Sequence, residues 1–232
     1  MSKIAEKIIL ITGGSDGLGF ATAKKLSENH TVIILSPSKE KCEEIKKYYD
    51  IDFVIADITK ENEVEKAVNN VIKKYGRIDI LINNAGIWIE GKLSENDPER
   101  IKKVLEVNVL GTILMTQKVL PHMKSLKSGR IINIISQAGL YGKAERAPYR
   151  ASKYAVKGFT DSMSIELAPH GISVCGFYPD KMNTKFFAKA GNKYSTQDFI
   201  DVAESVRCLE FIVETPFELN IPELGLKKLN QY

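Results

Sequence analysis

The sequence predicts an α/β fold built on a parallel sheet, and three features carry that prediction. Short runs rich in Ile and Val alternate with longer segments of helical period, the pattern left by successive strand–helix–strand units. The runs are almost uninterruptedly apolar, as strands covered on both faces must be. A glycine-rich turn, TGGSDGLG at 12–19, joins the first run to a helical stretch.

Taken in order, the predicted strands are KIILIT (7–12), TVIIL (31–35), DFVIA (52–56), IDILI (78–82), RIINII (130–135), ISVCGF (172–177) and ELNIP (218–222), about seven in all. Between the third and fourth, Val64, Ala67, Val68, Val71, Ile72 and Tyr75 recur on one helical face with Lys and Glu opposite, so this helix covers the sheet. The run DPERIKKVLEVNVLGTILMTQKVLPHM begins with Pro98 in a first turn and continues as a long apolar stripe, either one bent helix or two. Residues 183–198 have no clear period and read as a flap. No repeat, linker or low-complexity tract divides the chain, so residues 1–232 are expected to form a single domain.

Composition narrows the function classes. Lys and Arg number 33 against 29 acids, for a net charge of +4, but the two signs are interleaved in KEKCEEIKK and KENEVEK. Solvated helix faces look like this, and a nucleic-acid surface does not. Cys42, Cys175 and Cys208 are odd in number and widely spaced, which fits a reduced, cytoplasmic setting. His30, His122 and His170 lack companions at ligand spacing, so no metal site is expected, and no apolar stretch reaches the length of a membrane span.

Gly13, Gly17 and Gly19 stand at a strand-to-helix junction. Small residues there let backbone approach a ligand, and the helix start behind them offers free N–H groups to a pyrophosphate. A tight turn with no ligand fits the same glycines. Asp57, just past the third strand, could accept a hydrogen bond from an adenine amino group or serve as a helix cap. Tyr149 and Lys153 lie four apart in APYRASKYAVKG, a spacing that makes them neighbours on a helix without defining their role.

Six motifs in order lift these residues out of isolation: TGGSDGLG after the first strand, NNAG at 83–86 after the fourth, Asn108 in EVNVLGT, Ser136 closing IINIIS, Tyr149 with Lys153, and FYP followed by Thr184. From about residue 5 to 225 the chain resembles the short-chain dehydrogenases/reductases in their single-domain form. The resemblance implies a Rossmann-type doubly wound sheet in the order 3-2-1-4-5-6-7, an NAD(P) cofactor along the C-terminal strand edge, and a catalytic tetrad of Asn108, Ser136, Tyr149 and Lys153.

It implies cofactor contacts from Gly13, Ser15, Gly17, Leu18 and Gly19 in the first loop, and from Asp57 and Ile58 after the third strand. Asn84, Ala85 and Gly86 would follow after the fourth, with Tyr149 and Lys153 on the helix, and Pro179, Met182 and Thr184 after the sixth strand. Lys153 would hold the nicotinamide ribose and stabilise a Tyr149 phenolate. One charge at about 4 Å in an effective dielectric of about 20 is strong enough to bring a phenol near neutrality. Ser136 would orient the substrate oxygen, and Asn108 would anchor a water near Lys153. The substrate would be a ketone or aldehyde interconverted with an alcohol, with Trp88, Gln137, Leu140, Tyr141 and Phe186 as candidate pocket walls. A nucleotide sensor without turnover is the alternative from another class.

The chain departs from the family pattern at two places. Pro179 is followed by Asp180 and Lys181 where Pro-Gly is usual, and Pro37 stands where NADP users often carry arginine. No acid ends the second strand, so Ser36, Ser38 and Lys39 could receive a 2′-phosphate, opposed by Asp16. The expectation is NADP weakly preferred over NAD. Segments 98–124 and 148–168, with Ala151, Ala155 and Gly158 at helical spacing, are expected to pair with symmetry mates, giving a homotetramer or, next, a dimer.

Overall fold

The computed structural model describes residues 6–191, 194, 197 and 199–229. Seven parallel strands form one sheet in the order β3-β2-β1-β4-β5-β6-β7, as expected. They are β1 (Ile8–Thr12), β2 (Thr31–Ser36), β3 (Asp52–Ile55), β4 (Ile80–Asn83), β5 (Gly129–Ile134), β6 (Ile172–Pro179) and β7 (Glu223–Leu226). Their side chains alternate between two cores. Ile8 and Leu10 join one, with α3 (Glu61–Tyr75), α5 (Gly111–Leu126) and α6 (Ala147–Leu167) on that face. Ile9 and Ile11 join the other, under α1 (Gly17–Leu26), α2 (Lys39–Tyr48) and α8 (Val202–Glu214).

The seventh strand lies later than expected, at Glu223–Leu226 and not at 218–222. The physical reason is Arg130, which is fully buried at the start of β5. Its guanidinium donates to the carbonyls of Ile212, Thr215, Pro216 and Leu219 and to Ser173 Oγ. The chain from 215 to 219 wraps this cation instead of lying straight, and Pro222 has no N–H for a ladder.

The long apolar run is one nearly continuous helical path. α4 (Pro98–Leu105) passes through a π-helical turn at Glu106–Leu110 into α5. Such a turn inserts an extra residue and turns side chains out of register, and Asn108 sits within it. The segment expected to be a flap contains the short helix α7 (Phe186–Lys189); residues 192, 193, 195, 196 and 198 of it lie outside the described residues.

Candidate active site

A cavity of about 840 Å³ runs along the C-terminal edge of the sheet. Parallel strands place their following loops there, and the crevice opens where the strand order reverses beside β1. Of the positions named from the sequence, Gly13, Ser15, Gly17 and Leu18 border it at one end. Asp57, Ile58, Asn84, Ala85 and Gly86 border it as well, as do Ser136, Tyr149 and Lys153 and, after β6, Pro179, Met182 and Thr184, the last of which stands against Gly17.

The glycine-rich end is fixed by close backbone contact. Gly13 has φ +64°, and a Cβ there would stand 2.8 Å from Ala85 Cα. A Cβ on Gly19 would meet Asn84 Nδ2 at 2.4 Å and Gly13 O at 2.5 Å. Gly19 is therefore a supporting residue behind the cavity and does not border it. Asn84 Nδ2 donates to the Thr12 and Gly13 carbonyls, while Thr12 Oγ1 accepts from the backbone N–H groups of Asn84 and Ala85. The loops after β1 and β4 are thus latched together.

Asp16 caps α1 by accepting from Gly17 N, and its other oxygen lies 3.1 Å from Lys41 and 2.6 Å from Lys189. Partial burial opposes its charge, but these two ammonium groups overcome the penalty and hold its pKa at about 2. Asp57 is not the cap of α3, since Lys60 occupies that position. Its carboxylate instead accepts from the Thr59 N–H and hydroxyl in a local turn.

Ser36, Ser38 and Lys39 fit their expected role poorly. Ser36 is buried, with its hydroxyl 2.8 Å from Ser15 Oγ and accepting from Ser38 N. Ser38 and Lys39 do not border the cavity, and Lys39 faces Glu43 one helical turn away at 3.6 Å. The cations beside the loop are Lys41 and Lys189, neither of which the sequence pattern singles out.

At the other end Tyr149 is 4% exposed and Lys153 6% exposed, both on α6. Lys153 Nζ donates to Ile134 O at 2.9 Å and lies 5.8 Å from the centre of the Tyr149 ring. Burial lowers the Lys153 pKa to about 8. Burial also raises that of Tyr149, partly countered by the Ser136 hydroxyl and then by the charges of Arg150 and Arg146. The expected approach of Tyr149 to neutrality under the Lys153 charge, with the oxidised nicotinamide adding to it, is not seen in the protein without cofactor. In the protein by itself, desolvation is the largest influence on both groups, and the charges of Arg150 and Arg146 pull the phenol's pKa back down.

Ser136 has φ +98° and ψ 155°, a conformation that a non-glycine residue holds only under strain. Its hydroxyl accepts from Ala138 N. Asn108 does not reach the cavity wall. Its amide accepts from Ile87 N and donates to Ile87 O and Ser152 Oγ, clamping the chain after NNAG to α6. Of the candidate pocket walls, Trp88, Gln137, Tyr141 and Phe186 border the cavity; Leu140 packs instead with Ile135, Val156 and Tyr178. Asp180 turns its carboxylate to the Lys181 N–H.

Sequence reasoning missed Lys143, Arg146 and Arg150 on the cavity wall, although Arg146 and Arg150 flank Tyr149 in ERAPYRASK. Among the described residues no group of His, Cys, Asp and Glu could hold a metal ion, and no helix is long and apolar enough to cross a membrane.

A doubly wound sheet whose glycine-lined crevice leads to a buried Tyr–Lys pair defines a nucleotide-dependent oxidoreductase. The chain belongs to the short-chain dehydrogenase family, whose profile matches residues 7–195, and it is an NAD(P)-dependent oxidoreductase. It is 37% identical over 207 residues to a 3-ketodihydrosphingosine reductase of Bacteroides thetaiotaomicron, covering 89% of this chain and 76% of that protein. Among solved structures it resembles ElxO with NADP bound (TM-score 0.85, 28% identity, 95% of this chain and 98% of the other). It also resembles a 3-ketoacyl-(acyl-carrier-protein) reductase from Brucella melitensis complexed with NADH (TM-score 0.87, 28% identity, 95% and 96%).

Proposed function

We propose that this single-domain chain interconverts a ketone or aldehyde with an alcohol, with Tyr149 as the general acid and base. The observation that carries this reading is the burial of Tyr149 and Lys153 side by side at the end of the cavity opposite the glycine-rich loop, with Ser136 acting on the same phenol.

The chain fits a nicotinamide dinucleotide: its first loop has no room for side chains at Gly13 and Gly19, and α1 opens beside that loop. Gly13, Ser15, Gly17 and Leu18 would hold the pyrophosphate, and Asp57, Ile58, Asn84, Ala85 and Gly86 the adenosine half. Pro179, Met182 and Thr184 would flank the nicotinamide. That cofactor supplies the hydride. Tyr149 Oη gives a proton to the substrate oxygen in reduction and takes it in oxidation, while Ser136 Oγ donates a hydrogen bond that orients this oxygen. Lys153, with a pKa of about 8, stays protonated at neutral pH and favours the phenolate after the proton has left. Asn108 holds Ile87 and Ser152, and through them the spacing between the Gly86 turn and α6.

NADP is weakly preferred, because Lys41 and Lys189 together outweigh the Asp16 carboxylate at the loop. The protein assembles as a homotetramer, with a dimer as the next form. Leu105, Leu110, Tyr154 and Ile165 are exposed apolar side chains on the two segments expected to pair, which supports this reading. We place it in the cytoplasm. A screen of neutral and charged ketones and alcohols with both cofactors, read by absorbance of the reduced nicotinamide, tests the activity. Turnover of at least one carbonyl is expected, and binding of cofactor with no turnover across the panel would favour a sensor.

A further inference from the structure

Around Tyr149 the charged side chains of the cavity wall are mostly cations, set among aromatic and apolar groups. Lys143, Arg146, Arg150 and Lys181 border this end, with Asp180 as the bordering acid. Ammonium, guanidinium and indole N–H groups have no acceptor atoms, so each asks for an oxygen from elsewhere.

Two such donors, one on Arg150 and one on the neighbouring Trp88, find none among the described residues. Arg150 Nε is buried without a hydrogen-bond partner, and so is the indole Nε1 of Trp88, a residue 8% exposed. A buried donor left without an acceptor is costly, and native proteins leave few. The rest of Arg150 is held only loosely, by one 3.4 Å contact from Nη1 to Ala138 O.

Arg146 is instead firmly placed. Its Nε donates to Glu90 at 3.0 Å and its Nη2 to Tyr194 Oη at 3.1 Å, and it stacks 5.1 Å over the Trp88 ring. Glu90 neutralises Arg146, and Asp180 is engaged by the Lys181 N–H. The remaining positive charges repel one another. The pKa of Lys143 is pushed down first by Arg146, then by burial, Lys181 and Arg150, with Glu90 opposing.

This cluster is not needed for the cofactor's phosphates, which the glycine-rich loop and the start of α1 suit at the other end. Nor is it a solvated rim of paired charges, such as Lys25 with Glu28 on the outer face of α1.

We infer that the carbonyl substrate carries an anionic oxygen group, a carboxylate or a phosphate, seated among Lys143, Arg146, Arg150 and Lys181 beside Tyr149. The inference rests on the oxidoreductase reading for the carbonyl and on the cation cluster for the anion. Arg150 and Trp88 supply donors for the anion's oxygens, Lys143 and Lys181 supply charge, and Arg146 is the fixed post that Glu90 and Trp88 hold in place. A bidentate guanidinium contact fits either anion.

The test uses the protein saturated with NADP and four probes: 4-oxopentanoate against its methyl ester, and dihydroxyacetone phosphate against dihydroxyacetone. Affinity is read by calorimetry, and turnover is read separately with NADPH and NADH. At least one anion is expected to bind about tenfold or more tighter than its neutral counterpart, a factor equal to about 1.4 kcal/mol. The pair showing the larger ratio identifies carboxylate or phosphate.

In Arg150→Gln the ratio falls at least about tenfold, the lower range for a hydrogen bond to a charged group. Lys143→Gln, at an exposed position where folding is not at stake, lowers it in the same direction. Equal affinity for both members of both pairs, or a ratio unchanged in the two variants, overturns the inference. Turnover of the neutral ketones with no preference for an anion removes it while leaving the oxidoreductase reading intact. Anion-selective binding without reduction of any probe does the reverse.

Discussion

The two ends of the cleft are built on opposite principles. At the glycine-rich end the polar side chains satisfy one another: Ser15 with Ser36, Asn84 with the carbonyls of Thr12 and Gly13, Asp57 with Thr59, Asp16 with Lys41 and Lys189. Around Tyr149 the pattern breaks down. Arg150 Nε and Trp88 Nε1 have no acceptor among the described residues, Ser136 is held at a strained φ, and an ammonium and a phenol are buried together with their charged forms disfavoured. The first end is a preformed cradle that owes its shape to backbone contact. The second is a set of groups whose energetic needs the protein leaves unmet, as sites that must favour a reacting ligand commonly do.

The comparison breaks most sharply at Tyr149. Tyr149→Phe removes only the hydroxyl from a ring that packs 4.4 Å from Trp88, so the fold and the glycine-rich end are untouched. Turnover is expected to fall at least about 100-fold, the usual scale for a general acid–base group, with cofactor affinity nearly unchanged. Steady-state rates beside a direct titration of NADPH separate the two. Most of the activity surviving in this variant would sink the assignment.

Lys153 yields the second-largest effect and one of opposite sign for stability. Its pKa falls from the ordinary lysine value of 10.5 to about 8 on burial, which corresponds to roughly 3 kcal/mol against the charged form at neutral pH. The unfolded chain binds more protons than the folded one between these values, so the parent gains stability as pH rises from about 8 toward 10.5 and lacks that stability below about 8. Lys153→Met is therefore expected to be the more stable protein at pH 7 without cofactor, with the advantage shrinking by pH 10, although its turnover is lost. Denaturant midpoints at the two pH values give the answer, and a parent that is equally or more stable at pH 7 would contradict it.

Legibility in the sequence follows the same division. Most of the strands and the first loop are legible because they depend on local pattern, apolar runs and glycines at a junction, whereas the strand order and the joint role of Tyr149 and Lys153 follow only from the resemblance that six motifs in order carry. The seventh strand was misplaced because the path of 215–219 is set by Arg130, more than 80 residues earlier in the chain, and no local signal in ELNIP announces that collar. For the same reason, Lys41 escapes a reading that names Lys39. Which lysine of KEKCEEIKK faces the loop depends on how α2 sits against α1, a tertiary relation. The arginines around Tyr149 were in plain view, but their lack of partners becomes visible only when the fold encloses them.

At the glycine-rich end, Gly19→Ala probes the cradle directly. The added methyl group would overlap Asn84 Nδ2 and the carbonyl of Gly13, and backbone on one side cannot yield without loosening the latch between the loops. A loss of about 1–3 kcal/mol in stability, the range for overpacked sites, is expected together with weakened binding of both NADP and NAD. Gly142→Ala, outside the segments expected to pair and with nothing within 4 Å of the added methyl group, is the control and should cost little. Equal thermal midpoints for the two variants would show that close contact does not shape this loop.

The smallest effect concerns which dinucleotide the cradle prefers. Asp16 would repel a 2′-phosphate if it stood alone, but it lies between Lys41 and Lys189, and the three together carry one net positive charge. Lys41→Ala leaves Asp16 balanced by Lys189 and removes that surplus. The lysine is about half exposed, with its side chain 48% accessible, so the water-screened interaction is worth no more than about 1 kcal/mol. The ratio of kcat/KM for NADP over NAD should accordingly fall less than about tenfold, through a higher KM for NADP and with the NAD values steady. Lys39→Ala, whose ammonium faces Glu43, should leave the ratio where it was. A parent that favours NAD, or a ratio that responds to Lys39 and not to Lys41, would show that the phosphate is recognised by other groups than this trio.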